Sequence, residues 1–176
     1  MFKLVKVNPQ NLKNMNLGIE VFENLSFKDD RGSLNVNFEG EISKSFNFIS
    51  IKESSSKPLT GRGLHHQENP FGQHKIISLE KGSILDFSFD TEKNDKQIYC
   101  LLLDSSMNIS IHFPERFAHG FITLTETKFK YTCIGKYIEE KEITYNVLPS
   151  ISKLLKLGDI SLSKKDSSSS PIDVSF

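Results

Sequence analysis

Ser83-Ile84-Leu85-Asp86-Phe87-Ser88-Phe89-Asp90 is the stretch that decides the fold class. In extended backbone, Leu85, Phe87 and Phe89 share one face and Asp86, Ser88 and Asp90 share the other. That two-residue period is a strand with one packed face and one polar face, the polar one turned to solvent or to a wet cavity. Lys81-Gly82 supplies a turn before it, and Lys93-Asn94-Asp95 another after it. Working outward, short runs rich in Phe, Ile, Val and Leu predict further strands near 17–22, 33–38, 46–52, 75–80, 97–103, 109–113, 119–124 and 127–134. Helix is scarce, with short candidates only at Pro9 to Met15 and Ser150 to Lys156. Many short strands without interleaved helices predict an all-β sandwich or barrel instead of a parallel α/β sheet.

The 176 residues fit a single domain, 1–176, with a Ser-rich C-terminal tail from about Ser167. A chain of this length buries roughly 70% of its unfolded surface and needs no disulfide or metal staple. Its two cysteines, Cys100 and Cys133, sit in apolar runs and read as small buried hydrophobes. Formal net charge is zero, which removes the broad attraction that a nucleic-acid or anionic-membrane binder needs. The N-terminal run Met1-Phe2-Lys3-Leu4-Val5-Lys6 lacks the apolar core of a signal peptide, and the expectation is a cytoplasmic protein.

Two asymmetries point to a site. Of the 22 basic residues only Arg31, Arg62 and Arg116 are arginine, and each lies in a loop-like or motif-like context where a planar fork can meet phosphate. All five histidines fall between His65 and His119. Adjacent His65 and His66 point to opposite faces of a strand, so one of them can face a given cavity. If His65 and Lys75 lie on neighbouring strands joined by the loop 68–73, both project into one interior. An imidazole, titrating near ~6.5, accepts a proton at neutral pH. A nearby ammonium stabilises the enolate formed when a C–H bond beside a ketone is broken. Tyr131 can serve as an acid from the opposite face, since a phenol both donates and accepts. A metal site is the competing reading of the His cluster with Glu68, but no His-x-His pair occurs.

The ordered motifs Arg62-Gly63-Leu64-His65-His66-Gln67, Gly72-Gln73-His74-Lys75, Gly82-Ser83-Ile84-Leu85-Asp86 and Pro114-Glu115-Arg116-Phe117-Ala118-His119-Gly120-Phe121 resemble those of the dTDP-4-dehydrorhamnose 3,5-epimerases. The resemblance implies a cupin-type double-stranded β-helix, a jelly roll with short terminal helices. It also implies a metal-independent isomerase, without cofactor, that inverts C3, C5 or both in a nucleotide-linked, dTDP-type 4-keto-6-deoxy sugar. Within it His65 matches the base, Lys75 the residue beside the sugar carbonyl, Tyr131 the opposite-face acid, and Asp166 the carboxylate paired with the base. Arg31 and Arg62 match the diphosphate-binding residues. His119 falls in the motif position that shapes the active-site wall, and Gln67 and Asp86 fall in motif positions with either a structural, polar-network role or a direct contact to substrate. A homodimer is implied, one subunit's strand helping to form the partner's nucleotide site. Departures gather around recognition: Ser50 and Lys52 stand where amides are usual, and Ile143-Thr144-Tyr145-Asn146 where a Trp-containing stretch is usual. The alternatives are a non-catalytic nucleotide-sugar binding protein and a metal-dependent cupin isomerase or oxygenase.

Overall fold

The structure is a computed structural model that describes residues 1–30, 32–36, 49–168 and 170–176. Along the chain the strands are β1 Phe2–Val7, β2 Glu20–Glu23, β3 Leu25–Asp29, β4 Gly32–Val36, β5 Ile49–Ser56, β6 Gly61–Gln67, β7 His74–Lys81, β8 Ser83–Asp90, β9 Gln97–Asp104, β10 Ile109–Phe113, β11 Phe117–Thr123, β12 Thr127–Ile134, β13 Glu142–Thr144 and β14 Val174–Ser175. Two short α-helices, α1 Pro9–Asn14 and α2 Leu148–Leu155, lie near the ends of the described chain. Asn8 caps α1 by accepting from the Asn11 N–H at 2.8 Å, and Pro9 pre-sets its first turn.

A seven-stranded sheet, in the order β13-β6-β11-β8-β9-β1-β14, packs on a five-stranded sheet, β2-β10-β7-β12-β5. The hairpin β3–β4 stands as a separate two-stranded ribbon. The pairing is antiparallel except where β1 joins β9 and β14 in parallel. The jelly-roll expectation therefore holds. The predicted strands do not include β1, β3, β6 or the short β13 and β14. The outer parts of the predicted strands 33–38 and 46–52 lie outside the described residues.

One core fills the space between the sheets, with Ile84, Leu101, Phe117 and Phe121 from one side and Ile77, Ile111, Phe113 and Phe129 from the other. A second core lies on the opposite face of the larger sheet, where Leu64, Phe87, Phe89 and Ala118 meet Leu148 and Ile151 of α2. Each fully buried Leu, Ile or Phe side chain contributes about 1.5–3 kcal/mol. The larger sheet is thus covered on both faces. That arrangement explains β8, whose Leu85, Phe87 and Phe89 pack toward α2. Its polar face turns into the interior, and Asp86 and Ser88 have no exposed surface. A buried polar face needs partners, and this one leads to the site.

Sequence alone does not fix the register of His65 and Lys75, for which neighbouring strands are one arrangement. They lie on β6 and β7, which belong to opposite sheets. The connection 68–73 crosses from one layer to the other instead of closing a hairpin. Facing sheets bring the two side chains together as effectively as adjacent strands would.

Candidate active site

Strand β6 carries His65 to the inner face through an irregular stretch. Its pairing with β11 shifts register between His119 and Phe121. Gly63, at φ +95, sits where a Cβ would come within 2.7 Å of the His119 carbonyl oxygen. Glycine is required there both for the backbone conformation and for the close approach. The offset delivers Arg62, His65, His119 and Phe121 to one cavity of about 220 Å³.

His65, Lys75, Tyr131, Asp166, Arg62 and His119 all line this cavity. His65 Nε2 lies 2.6 Å from Asp166 Oδ1. The Ser163 hydroxyl donates to Asp166 Oδ2 at 2.8 Å. Burial works to raise the Asp166 carboxyl, but hydrogen bonds from His65, Ser163 and the Gly63 N–H outweigh it and hold the group below the usual range. Asp166 is therefore an anion at neutral pH, placed to orient an imidazole and to stabilise its cation.

The Lys75 ammonium enters from the five-stranded sheet and donates to the His65 carbonyl oxygen at 2.9 Å. Burial, helped by the neighbouring Lys52 charge, lowers its pKa, while Cys133, Glu142 and Asp86 pull the other way. Tyr131 projects from β12 in that same sheet. Burial raises its pKa, with Cys133 and Glu142 adding and Arg62 opposing, so the phenol keeps its proton at neutral pH. An imidazole thus stands on one wall and a protonated phenol on the other.

His119 Nε2 donates to Asp86 Oδ2 at 2.7 Å, which gives that buried carboxylate a partner. Its ring lies 4.7 Å from that of Phe113, and the apolar wall continues through Ile77, Phe121 and Phe129. Arg62 Nε donates to the Ser56 hydroxyl at 3.2 Å, and the residue is exposed. Gln67 is committed elsewhere. Its amide donates to the Phe71 and Lys136 carbonyls at 2.7 and 3.0 Å and accepts from the Ile138 N–H at 2.5 Å. It borders a smaller adjoining lobe of about 90 Å³, as does His66. Arg31 lies outside the described residues.

Ser163, Lys165, Tyr137 and Glu142 carry no role in the sequence analysis, and Lys52 figures there only as a departure in the recognition region. Ser163 and Lys165 flank Asp166 and line the main cavity. Lys165 pairs with Glu142 and donates to the Tyr137 hydroxyl at 3.1 Å. Lys52 stands 5.7 Å from the Tyr131 ring centroid and 5.1 Å from that of Tyr137. Adjacency to Asp166 was an available signal for Ser163 and Lys165. Nothing in sequence spacing brings Glu142 to the same rim. Among the described residues, no three or more His, Cys, Asp or Glu side chains are grouped to hold a metal ion.

Comparison with known proteins fits this geometry. The family model described as dTDP-4-dehydrorhamnose 3,5-epimerase matches residues 16–173. The dTDP-4-dehydrorhamnose 3,5-epimerase of Salmonella typhimurium is 31% identical over 131 residues, covering 69% of this chain and 72% of that protein. The crystal structure of dTDP-4-dehydrorhamnose 3,5-epimerase from Sulfolobus tokodaii is 27% identical, with a TM-score of 0.70 over 87% of this chain and 89% of that one. A similar fold, TM-score 0.70 at 23% identity over 87% of both chains, is that of a dTDP-6-deoxy-D-glucose-3,5-epimerase from Legionella pneumophila, solved with dTDP-4-keto-L-rhamnose.

Proposed function

The chain belongs to the dTDP-4-dehydrorhamnose 3,5-epimerase family, and we propose that His65, Lys75, Tyr131 and Asp166 perform its proton transfers. It is an isomerase that acts on a nucleotide-linked, dTDP-type 4-keto-6-deoxy sugar by deprotonation and reprotonation beside the ketone. The observation that carries the residue assignment is the placement of His65 and Tyr131 on facing sheets around one cavity. Inversion at carbon needs a proton removed from one face and returned to the other. A sugar ring held between the sheets meets a base on one side and an acid on the other.

In this reading His65 takes the proton from the carbon next to the carbonyl, and Asp166 stabilises the resulting imidazolium. The Lys75 ammonium faces the carbonyl oxygen, where negative charge develops. Tyr131 donates its phenolic proton to the opposite face, which completes the inversion. His119, fixed by Asp86, shapes the wall with Phe121 and Phe129, and this apolar surface suits a sugar ring face and a methyl group. Arg62 and Arg31 bind the diphosphate, and Lys52 adds positive charge in the adjoining lobe beside Tyr131. Gln67 acts by stapling the loop 136–138 to the wall.

We further propose a homodimer. Leu25 and Phe27 on β3, and Ile49 and Ile51 on the edge strand β5, are exposed apolar side chains that a second copy would cover. A cytoplasmic location agrees with the unpaired, buried Cys100 and Cys133. Among the described residues, no helix is long and apolar enough to cross a membrane. The test of function is proton NMR of a dTDP-4-keto-6-deoxy sugar in deuterated buffer. Signal loss at C3 or C5, with appearance of the epimer, is expected. Binding without either change would favour a non-catalytic nucleotide-sugar protein.

A further inference from the structure

Asp166 belongs to neither sheet. It sits in a strap that leaves the larger sheet at the bridge between Thr60 and Ser161. There the Gly61 N–H donates to the Ser161 carbonyl and the Ser161 N–H to the Leu59 carbonyl, each at 2.8 Å. The strap rejoins the body where the Ile172 N–H donates to the Asn146 carbonyl at 2.8 Å, and it ends in β14 against β1. Between these anchors, Ser163, Lys165 and Asp166 turn inward and form one wall of the cavity.

A carboxylate carried on such a turn needs a local grip to keep a fixed aim. Ser163 provides two contacts at once. Its hydroxyl donates to Asp166 Oδ2 at 2.8 Å and accepts from the Asp166 N–H at 3.0 Å, which uses its one proton and one lone pair. The other carboxylate oxygen, Oδ1, meets His65. Attachment of the strap does not depend on this serine. Lys165 pairs with Glu142 on β13 and donates to Tyr137, and the Ser167 N–H donates to the Ser163 carbonyl at 3.1 Å. The bond to Oδ2 is therefore spent on the carboxylate itself.

We infer that Ser163 is a positioning residue of the proton-transfer site, holding the Asp166 carboxylate in register with His65 so that the imidazole keeps one tautomer and one aim. The inference rests on the reading of His65 as the base. Its role differs from that of a loop-closing hydroxyl because its effect must appear in the chemistry of His65.

The test compares Ser163→Ala and Ser163→Thr with the wild type in steady-state epimerisation across pH. Ser163→Ala is expected to lower kcat about 10–100-fold while KM stays within about threefold, since a slightly misplaced catalytic group costs rate more than binding. The acid limb of kcat/KM should move to lower pH, because a displaced carboxylate stabilises the imidazolium less. Ser163→Thr, which keeps the hydroxyl, should restore both. An unchanged kcat and acid limb in Ser163→Ala would overturn the inference, as would a loss that threonine fails to restore. His65→Asn in the same assay separates the two levels. Retained turnover there removes the base assignment, whereas lost turnover beside a normal Ser163→Ala removes only the role of Ser163.

Discussion

His65 and Asp166 lie 101 residues apart in the chain and meet through an Nε2···Oδ1 contact of 2.6 Å. A separation this short marks a charge-assisted bond, stronger than a neutral one and demanding in geometry. Asp166→Asn keeps the shape but removes the charge and exchanges an acceptor for a donor. The expected result is a fall in kcat of about 10²–10⁴, the range of a general acid–base contribution, with KM little changed. Steady-state kinetics of the purified variant check it; a loss confined to KM would place Asp166 in binding.

Tyr131 stands on the wall facing His65, and its raised pKa keeps it protonated at neutral pH. Tyr131→Phe removes the acid but leaves the base. Deuterium should still enter the substrate, returned by His65 to the face from which it was taken, while net inversion falls sharply. Comparing the exchange rate with the epimerisation rate by NMR reads the difference. Equal loss of both rates would contradict the division of labour.

Lys75 supplies positive charge at the carbonyl oxygen in this account. Lys75→Met, similar in length and uncharged, should lower kcat by about 10²–10³, the usual consequence of losing one oxyanion donor. Exchange and inversion should fall together, since both pass through the enolate. Loss of inversion alone would move Lys75 away from that role.

Burial lowers the pKa of His66 and His74 below their ordinary value of 6.5, with Lys75 adding for His66 and His112 for His74. Glu68 and Glu115 oppose the shift and do not cancel it. The unfolded chain thus binds protons at these two sites more readily than the folded one. Stability from them is complete above 6.5 and declines as pH falls through that value toward the lowered folded pKa. Thermal melts from pH 7.5 to 5.5 should show Tm falling, and His66→Gln should flatten part of the slope. A Tm that rises toward pH 5.5 would contradict the sign.

Cys100 is buried, and its thiol is pushed up to about 12 by burial and the Asp86 charge. Burial also raises Cys133, against the pull of Lys52 and Lys75. Neither forms appreciable thiolate at neutral pH. Thiol-directed alkylation of the native enzyme should leave activity intact, with both cysteines reacting only after denaturation. Rapid inactivation would show that the cavity exposes Cys133.

Strand patterning exposed most of the sandwich, because Leu85, Phe87 and Phe89 must share a face wherever that face lies. It did not say which way the face points. The apolar side of β8 packs under α2, and Asp86 and Ser88 turn into the core, where His119 gives Asp86 its partner. β6 escaped the pattern because Gly61, Gly63 and the adjacent histidines replace hydrophobic alternation with a bulged, functional strand. β1 was legible in the alternation of Phe2 and Leu4 but was weighed only as a leader. Motif order brought His65, Lys75, Tyr131 and Asp166 together on paper, and they line one cavity. The rim formed by Lys52, Tyr137, Glu142 and Lys165 depends on how separate strands and the strap converge. No local spacing records that.

Solvent exchange at the carbon beside the ketone reads the proton transfer assigned to His65. A dTDP-4-keto-6-deoxy sugar is incubated in deuterated buffer with the wild type and with His65→Asn, and deuterium at C3 and C5 is followed by NMR or mass spectrometry. Incorporation and inversion are expected from the wild type, and neither from His65→Asn, although the variant still binds dTDP. Incorporation by His65→Asn at the wild-type rate would contradict that assignment, as would its absence from a folded wild type that binds the substrate.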